Sequence, residues 1–251
     1  MTESTLDATG PRASEFRVGS AIARSAALLR RHLLTFLVVS LIACSPILLF
    51  AGTQMRSSTA SEAIKELLWI LFNLAVLTVF DMFGKAVLVH TAIQDIRGGG
   101  RVGLIESLNV SLRQFWPLVG LAFASFLTSL GFVLLVVPGF ILSTIWFVAL
   151  PACIVERVGP WTSLRRSLQL TKGHRWRILG LVLLLLIPTW GSSFVGWLLS
   201  TAASELVGTV GEWLCTTIMT AITAAVVVVT YYDLRVVDEG ADIAGLAVVF
   251  D

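Results

Sequence analysis

Six runs of apolar residues set the limits on what this chain can become: Leu33–Ala51, Leu67–Thr91, Leu118–Val137, Phe140–Val155, Ile178–Leu199 and Trp213–Tyr231. In water a helix built from such a run would expose apolar surface on every side. In a bilayer the same run is what a span requires, because ~20 residues rising 1.5 Å each cross a hydrocarbon core of about 30 Å. Only 14% of the residues are charged and 56% are hydrophobic, against about 25% charged in a soluble domain. Six spans within 251 residues leave no room for a separate soluble domain. The expected fold is all-α: a polytopic membrane protein whose six transmembrane helices form three helical hairpins, with short amphipathic interfacial helices on the cytoplasmic side. Residues 1–15 are polar and rich in Ser, Thr and Ala, and are expected to form a disordered cytoplasmic tail. Residues 16–235 form the membrane domain, and residues 236–251 a second cytoplasmic tail.

The first run is longer than the about 7–15 residues of a signal-peptide core and no A-x-A site follows it, so it is expected to be an uncleaved span. Pro138-Gly139, between the third and fourth runs, reads as a tight turn between antiparallel helices. The fourth run is short, and spans only if its ends snorkel or the bilayer thins.

Orientation follows from Lys and Arg. With the N-terminus cytoplasmic, fifteen of the eighteen fall in cytoplasmic segments; Arg56 and Lys65 fall outside and Lys85 lies within a span. That bias places both termini in the cytoplasm. Trp116, Trp161 and Trp176 mark inner borders and Trp69, Trp197 and Trp213 outer ones, while Trp146 and Trp190 fall mid-span and read as packing residues.

Six of the cations lie between Glu156 and Arg177. Gly159-Pro160 breaks the preceding span, and Thr162 or Ser163 can cap a new helix. On that helix Leu164, Leu168 and Trp176 face the membrane, and Arg165, Arg166, Gln169 and Lys172 face headgroups. Seating and orienting the protein account for this pattern; a sharper reading makes Arg165, Arg166, Lys172, Arg175 and Arg177 a phospholipid-headgroup or phosphate site. Glu156 is placed to pair with Arg165 or Arg166. Ser107, Leu108, Trp116, Gly120 and Leu121 recur sixty residues later as Ser167, Leu168, Trp176, Gly180 and Leu181. The stretch from Ala21 has the same character without the identities. Three units follow, each an interfacial helix and a hairpin.

The second run carries Asn73, Asp81 and Lys85, with His90 toward its inner end. Asp81 and Lys85 are four apart and share a helix face. Buried charge in a span by default marks function, so the pair is read either as structural or as part of an ion, proton or substrate path. Cys44, Cys153 and Cys215 read as packing residues, with no disulfide or metal spacing. His32, His90 and His174 read as interfacial. There is no nucleophile–base, P-loop or dinucleotide pattern, so no catalytic residue, no cofactor and no nucleic-acid partner is expected.

Val136–Gly180 resembles the membrane domain found in some bacterial glycerophosphoryl diester phosphodiesterases and in stand-alone bacterial membrane proteins. The matching residues are Pro138-Gly139, Pro151, Glu156, Gly159, Arg166-Ser167, Leu170-Thr171-Lys172-Gly173 and Trp176-Arg177. The end of the chain, with Tyr231-Tyr232-Asp233-Leu234-Arg235, is similar to that family too. The resemblance implies a bacterial cytoplasmic (inner) membrane and, since the catalytic barrel of those enzymes has no counterpart here, no phosphodiesterase activity. Three readings follow. The first is a non-enzymatic scaffold or accessory factor engaging anionic phospholipid or a protein partner through its basic helices. The second is a small transporter or lipid-translocating protein with a path near Asp81 and Lys85. The third is an anchor recruiting a separate phosphodiesterase.

Overall fold

A computed structural model describes residues 18–50, 60–96 and 104–239. The expected N-terminal tail, residues 240–251, and Arg12, Arg17, Arg56, Arg97 and Arg101 lie outside the described residues. The described residues form helices with short breaks and no strand. The helices are α1 (Val18–Arg31), α2 (Leu33–Ala43), α3 (Pro46–Phe50), α4 (Ala60–Ile96), α5 (Leu104–Arg113), α6 (Phe115–Leu134), α7 (Val136–Ile145), α8 (Ala149–Glu156), α9 (Pro160–Leu170), α10 (Arg175–Ala202) and α11 (Glu205–Glu239). The last span's helix continues past residue 235, to Glu239.

Among the described residues, five stretches are long and apolar enough to cross a membrane: Ala63–Gln94, Phe115–Leu134, Val136–Glu156, Arg175–Ala202 and Glu205–Val237. A sixth arises if α1 and the Leu33–Leu48 stretch count together, although they meet at 89°. A right-angle bend is what an amphipathic helix lying beside a span produces.

The chain reads as three units: α1 then α2–α3 and α4; α5 then α6 and α7–α8; α9 then α10 and α11. Within each unit the outgoing and returning helices pack together, as α2 on α4, α6 on α7 and α10 on α11. Between units, α4 packs on α6, α7 on α10, and α11 on α2. Each amphipathic helix lies on the returning helix of the unit before it: α5 on α4, α9 on α8, and α1 on α11. The third unit thus closes onto the first. The returning helices α4, α8 and α11 meet one another inside, where Leu88, Val89, Ala152, Cys153, Val228 and Val229 are buried.

The register of the repeat is visible in burial. Ser25, Ser107 and Ser167 are all buried, as are Phe36, Leu118 and Ile178. Leu34, Trp116 and Trp176 point outward, exposed at 78%, 78% and 85%. The residue between amphipathic helix and span has nearly the same backbone in all three units: His32 (φ −120, ψ 26), Gln114 (φ −98, ψ 26) and His174 (φ −114, ψ 9).

Several local expectations are corrected. The turn between α6 and α7 is Leu135, which is extended (φ −150, ψ 106), and Pro138-Gly139 lies inside α7. Proline is tolerated there because first-turn amides have no intrahelical partner. Gly139 is needed for close approach: a Cβ at that position would stand 2.6 Å from Cγ of Phe132. Starting at Val136 lengthens the short fourth run to 21 residues. The run then breaks at Trp146–Val148, because Pro151 has no amide to offer the Phe147 carbonyl. The Ser167 hydroxyl donates to the Ile145 carbonyl at the break, over 2.7 Å. The N-cap of α9 is Gly159, with Pro160 at the first helical position, rather than Thr162 or Ser163.

Candidate functional site

One end of the bundle gathers α1, α5 and α9 against the C-terminal parts of α4, α8 and α11. At its centre Glu156, at the end of α8, accepts two hydrogen bonds on one carboxylate oxygen. Arg166 Nε donates over 2.9 Å and the Tyr231 hydroxyl over 3.1 Å. Of the two expected partners of Glu156, Arg166 is the one engaged, and Arg165 is exposed. Tyr231 is wholly buried, and Tyr232 packs edge-on against it with ring centroids 5.5 Å apart. The Glu156 side chain therefore ties α8, α9 and α11 together. Arg157 closes α8 in the left-handed conformation, φ 52, and Gly173 takes φ 89 in the link from α9 to α10, a conformation glycine reaches without penalty.

A second ion pair closes the ring. Arg24 of α1 grips Asp233 of α11 with both guanidinium nitrogens, at 2.7 Å and 3.0 Å. This fork-to-carboxylate geometry is among the stronger ion pairs. Sequence reasoning missed it. The signal was the dipeptide Arg24-Ser25, which repeats as Arg166-Ser167. At the third junction His90 Nδ1 and Thr91 Oγ1 both lie on Ser107 Oγ, at 3.1 Å and 3.2 Å. His90 is buried.

Outside this framework the surface is cationic and apolar at once. Arg30, Arg31, Arg113, Arg165, Lys172, Arg175 and Arg177 are exposed. Among them stand Leu112, Trp116, Trp161, Leu168 and Trp176. Leu164, expected to face the membrane, is instead buried at 6% with Ser163, Ser167 and Leu170. That face of α9 is taken by α8 and α6, which leaves Trp161 and Leu168 for the outside. Arg235 is half-buried near the end of α11.

Asp81 and Lys85 form the expected ion pair, 2.6 Å apart. They line a cavity of about 330 Å³ that also touches Ser125, Thr128, Ser143, Trp146 and Thr223. Trp146 packs against the core, whereas Trp190 is 58% exposed and so faces outward rather than packing. Much of the cavity's polar character is already satisfied: Thr78, Thr128, Ser129 and Ser143 donate to carbonyls of their own helices. Asn73 lies outside this lining; its amide donates to the Trp69 carbonyl, and its side-chain oxygen is buried without a hydrogen-bond partner. Cys44 and Cys153 are buried free thiols and Cys215 is half-buried. Among the described residues no group of His, Cys, Asp and Glu could hold a metal ion.

No protein-family model, curated protein or solved structure matches the chain.

Proposed function

We propose that this is a non-enzymatic protein of a bacterial inner membrane, a scaffold or accessory factor that engages anionic phospholipid through basic amphipathic helices. In this reading six spans form three hairpins, both termini are cytoplasmic, and α1, α5 and α9 lie at the cytoplasmic headgroup level. The chain is then a stand-alone counterpart of the phosphodiesterase membrane domain that Val136–Gly180 resembles.

One observation carries the reading: exposed cations alternate with exposed Trp and Leu around the end of the bundle where the amphipathic helices gather. Such a band suits the boundary between headgroups and acyl chains. Each basic residue near an anionic leaflet contributes about 1 kcal/mol, so seven of them supply enough to hold the end in place. The test is reconstitution of the whole chain in nanodiscs of mixed phosphatidylglycerol and phosphatidylcholine, followed by lipid quantification. Phosphatidylglycerol should be enriched around the wild type and not around the R165E/K172E variant. Equal lipid composition around both would refute the reading.

The cavity at Asp81 and Lys85 favours a second reading, a small transporter or lipid-translocating protein. It ranks lower because Asp81 and Lys85 pair with each other while Thr78, Thr128, Ser129 and Ser143 donate to backbone carbonyls, which leaves little demand for a ligand. Proteoliposome flux of ions or labelled lipid that D81N abolishes would reverse this order; no flux above empty vesicles removes the second reading.

A further inference from the structure

A depression of the surface lies away from the charged cavity, between α7 and the first turns of α10. It is an apolar groove of about 570 Å³, within the range of ligand-holding sites. Phe140 and Ile141 form one wall, Leu179 and Leu183 the other, and Arg175 and Trp176 stand at one end. The wall hydroxyl of Thr144 donates to the Phe140 carbonyl and so makes no demand on a guest.

We propose that this groove holds one acyl chain of an anionic phospholipid whose phosphate meets Arg175. The proposal rests on the reading that this end of the bundle sits at headgroup level, and gives that reading a single discrete lipid site. Dimensions and charge carry it. From Arg175 to Leu183 the helix rises ~12 Å, close to the ~15 Å of one leaflet. The cation stands where the chain meets its headgroup, and the walls are apolar apart from the Thr144 hydroxyl, which is already engaged. A partner's transmembrane helix fits less well: it would need a seam over the whole ~30 Å core, built on small residues, and the groove runs less than half that length between bulky side chains.

The test uses the full-length chain, purified in mild detergent with equal amounts of phosphatidylglycerol and phosphatidylcholine and weighed by native mass spectrometry. The wild type should retain one phosphatidylglycerol. L179W, which fills the groove, should retain about tenfold less; I141W fills it from the opposite wall and guards against a folding defect peculiar to L179W. R175Q should bind both lipids alike, and K65Q, exposed in the first turns of α4, should behave as wild type. Undiminished retention by both tryptophan variants, or no retention by the wild type, overturns the groove. The nanodisc enrichment described above tests the broader reading separately: enrichment that persists while retention fails removes the groove alone, and loss of enrichment removes the reading on which it rests.

Discussion

Replacing Glu156 with alanine removes one carboxylate, the acceptor for both Arg166 and Tyr231. Arg166 loses a charge-assisted bond of 2.9 Å, and both partners are only partly buried, with side-chain exposures of 24% and 22%. Solvent screening therefore holds that loss to about 1 kcal/mol. Tyr231 is a different case. Its residue is fully buried, and a hydroxyl left without a partner in such surroundings costs about 1–3 kcal/mol. Together E156A should destabilise the protein by roughly 2–4 kcal/mol. Glu205 is the control: it is exposed in the first turn of α11, and its loss removes only a helix-dipole contact of about 0.3–1 kcal/mol. The assay is equilibrium unfolding in mixed micelles by an SDS titration read by tryptophan fluorescence. The double variant sharpens it. If the stranded hydroxyl is the larger cost, E156A/Y231F should be more stable than E156A by about 1 kcal/mol or more, since the orphaned donor is gone. Costs for E156A no greater than for E205A, or strict additivity in the double variant, would refute the reasoning.

Two further outcomes follow from the packing and the proposed orientation. At Gly208 a Cβ would stand 2.5 Å from Cβ of Ser200 and 2.6 Å from the Gly196 carbonyl oxygen; G208L should therefore cost at least ~2–3 kcal/mol by overpacking α10 against α11, visible as an early SDS midpoint, and an unchanged midpoint would show that these helices do not pack closely. In intact cells a membrane-impermeant maleimide should label S204C, in the exposed link between α10 and α11, and leave R165C unlabelled until the membrane is opened; the reverse pattern would invert the topology.

Much of the helical plan was legible because a bilayer span writes itself as an unbroken apolar run. The local corrections share one cause. Pro138-Gly139 has the composition of a turn, yet Leu135 makes the turn, because a proline at the start of a helix costs nothing and the glycine is required by Phe132 rather than by a bend. The face of Leu164 is not readable, because a three-sided helix environment, with span, neighbour and lipid all apolar or partly so, cannot be divided by polarity alone. The ion pair at Asp81 and Lys85 was readable from a spacing of four, whereas Arg24 and Asp233 are 209 residues apart and no periodicity links them. The first unit's kinship was legible in character but not residue by residue: it stands at a different offset, so Ser25 matches Ser107 and Ser167 only once burial shows which residues are equivalent. The groove is a property of two helices from different units, which no single run of sequence displays.

Arg24 and Asp233 tie the first unit to the last. Three units related by the same head-to-tail contact must either close on themselves or leave an unpaired flank at each end. Here α1 covers α11 as α5 covers α4 and α9 covers α8. Closure brings the amphipathic helices together at one end, so the cationic band is a consequence of the ring rather than of any one helix. Breaking the closing contact should therefore act in two places. In R24A the Asp233 carboxylate, whose side chain is only 9% exposed, loses both of its bonds to Arg24. Removing one partner of a buried pair costs about 3–5 kcal/mol, and the partial exposure of Arg24 lowers the expectation to about 2–3 kcal/mol. D233N in the same chain should recover part of that loss, because a neutral amide is cheaper to leave in the interior. The second effect is local: α1 should exchange its amide hydrogens faster in R24A while α9, held by Glu156 and Arg166, keeps its protection. Equal loss of protection in α1 and α9 would mean that the ring opens as a whole; protection unchanged in α1 would mean that α1 is held by its apolar face alone, through Ala21 and Leu28, and that the ion pair only follows.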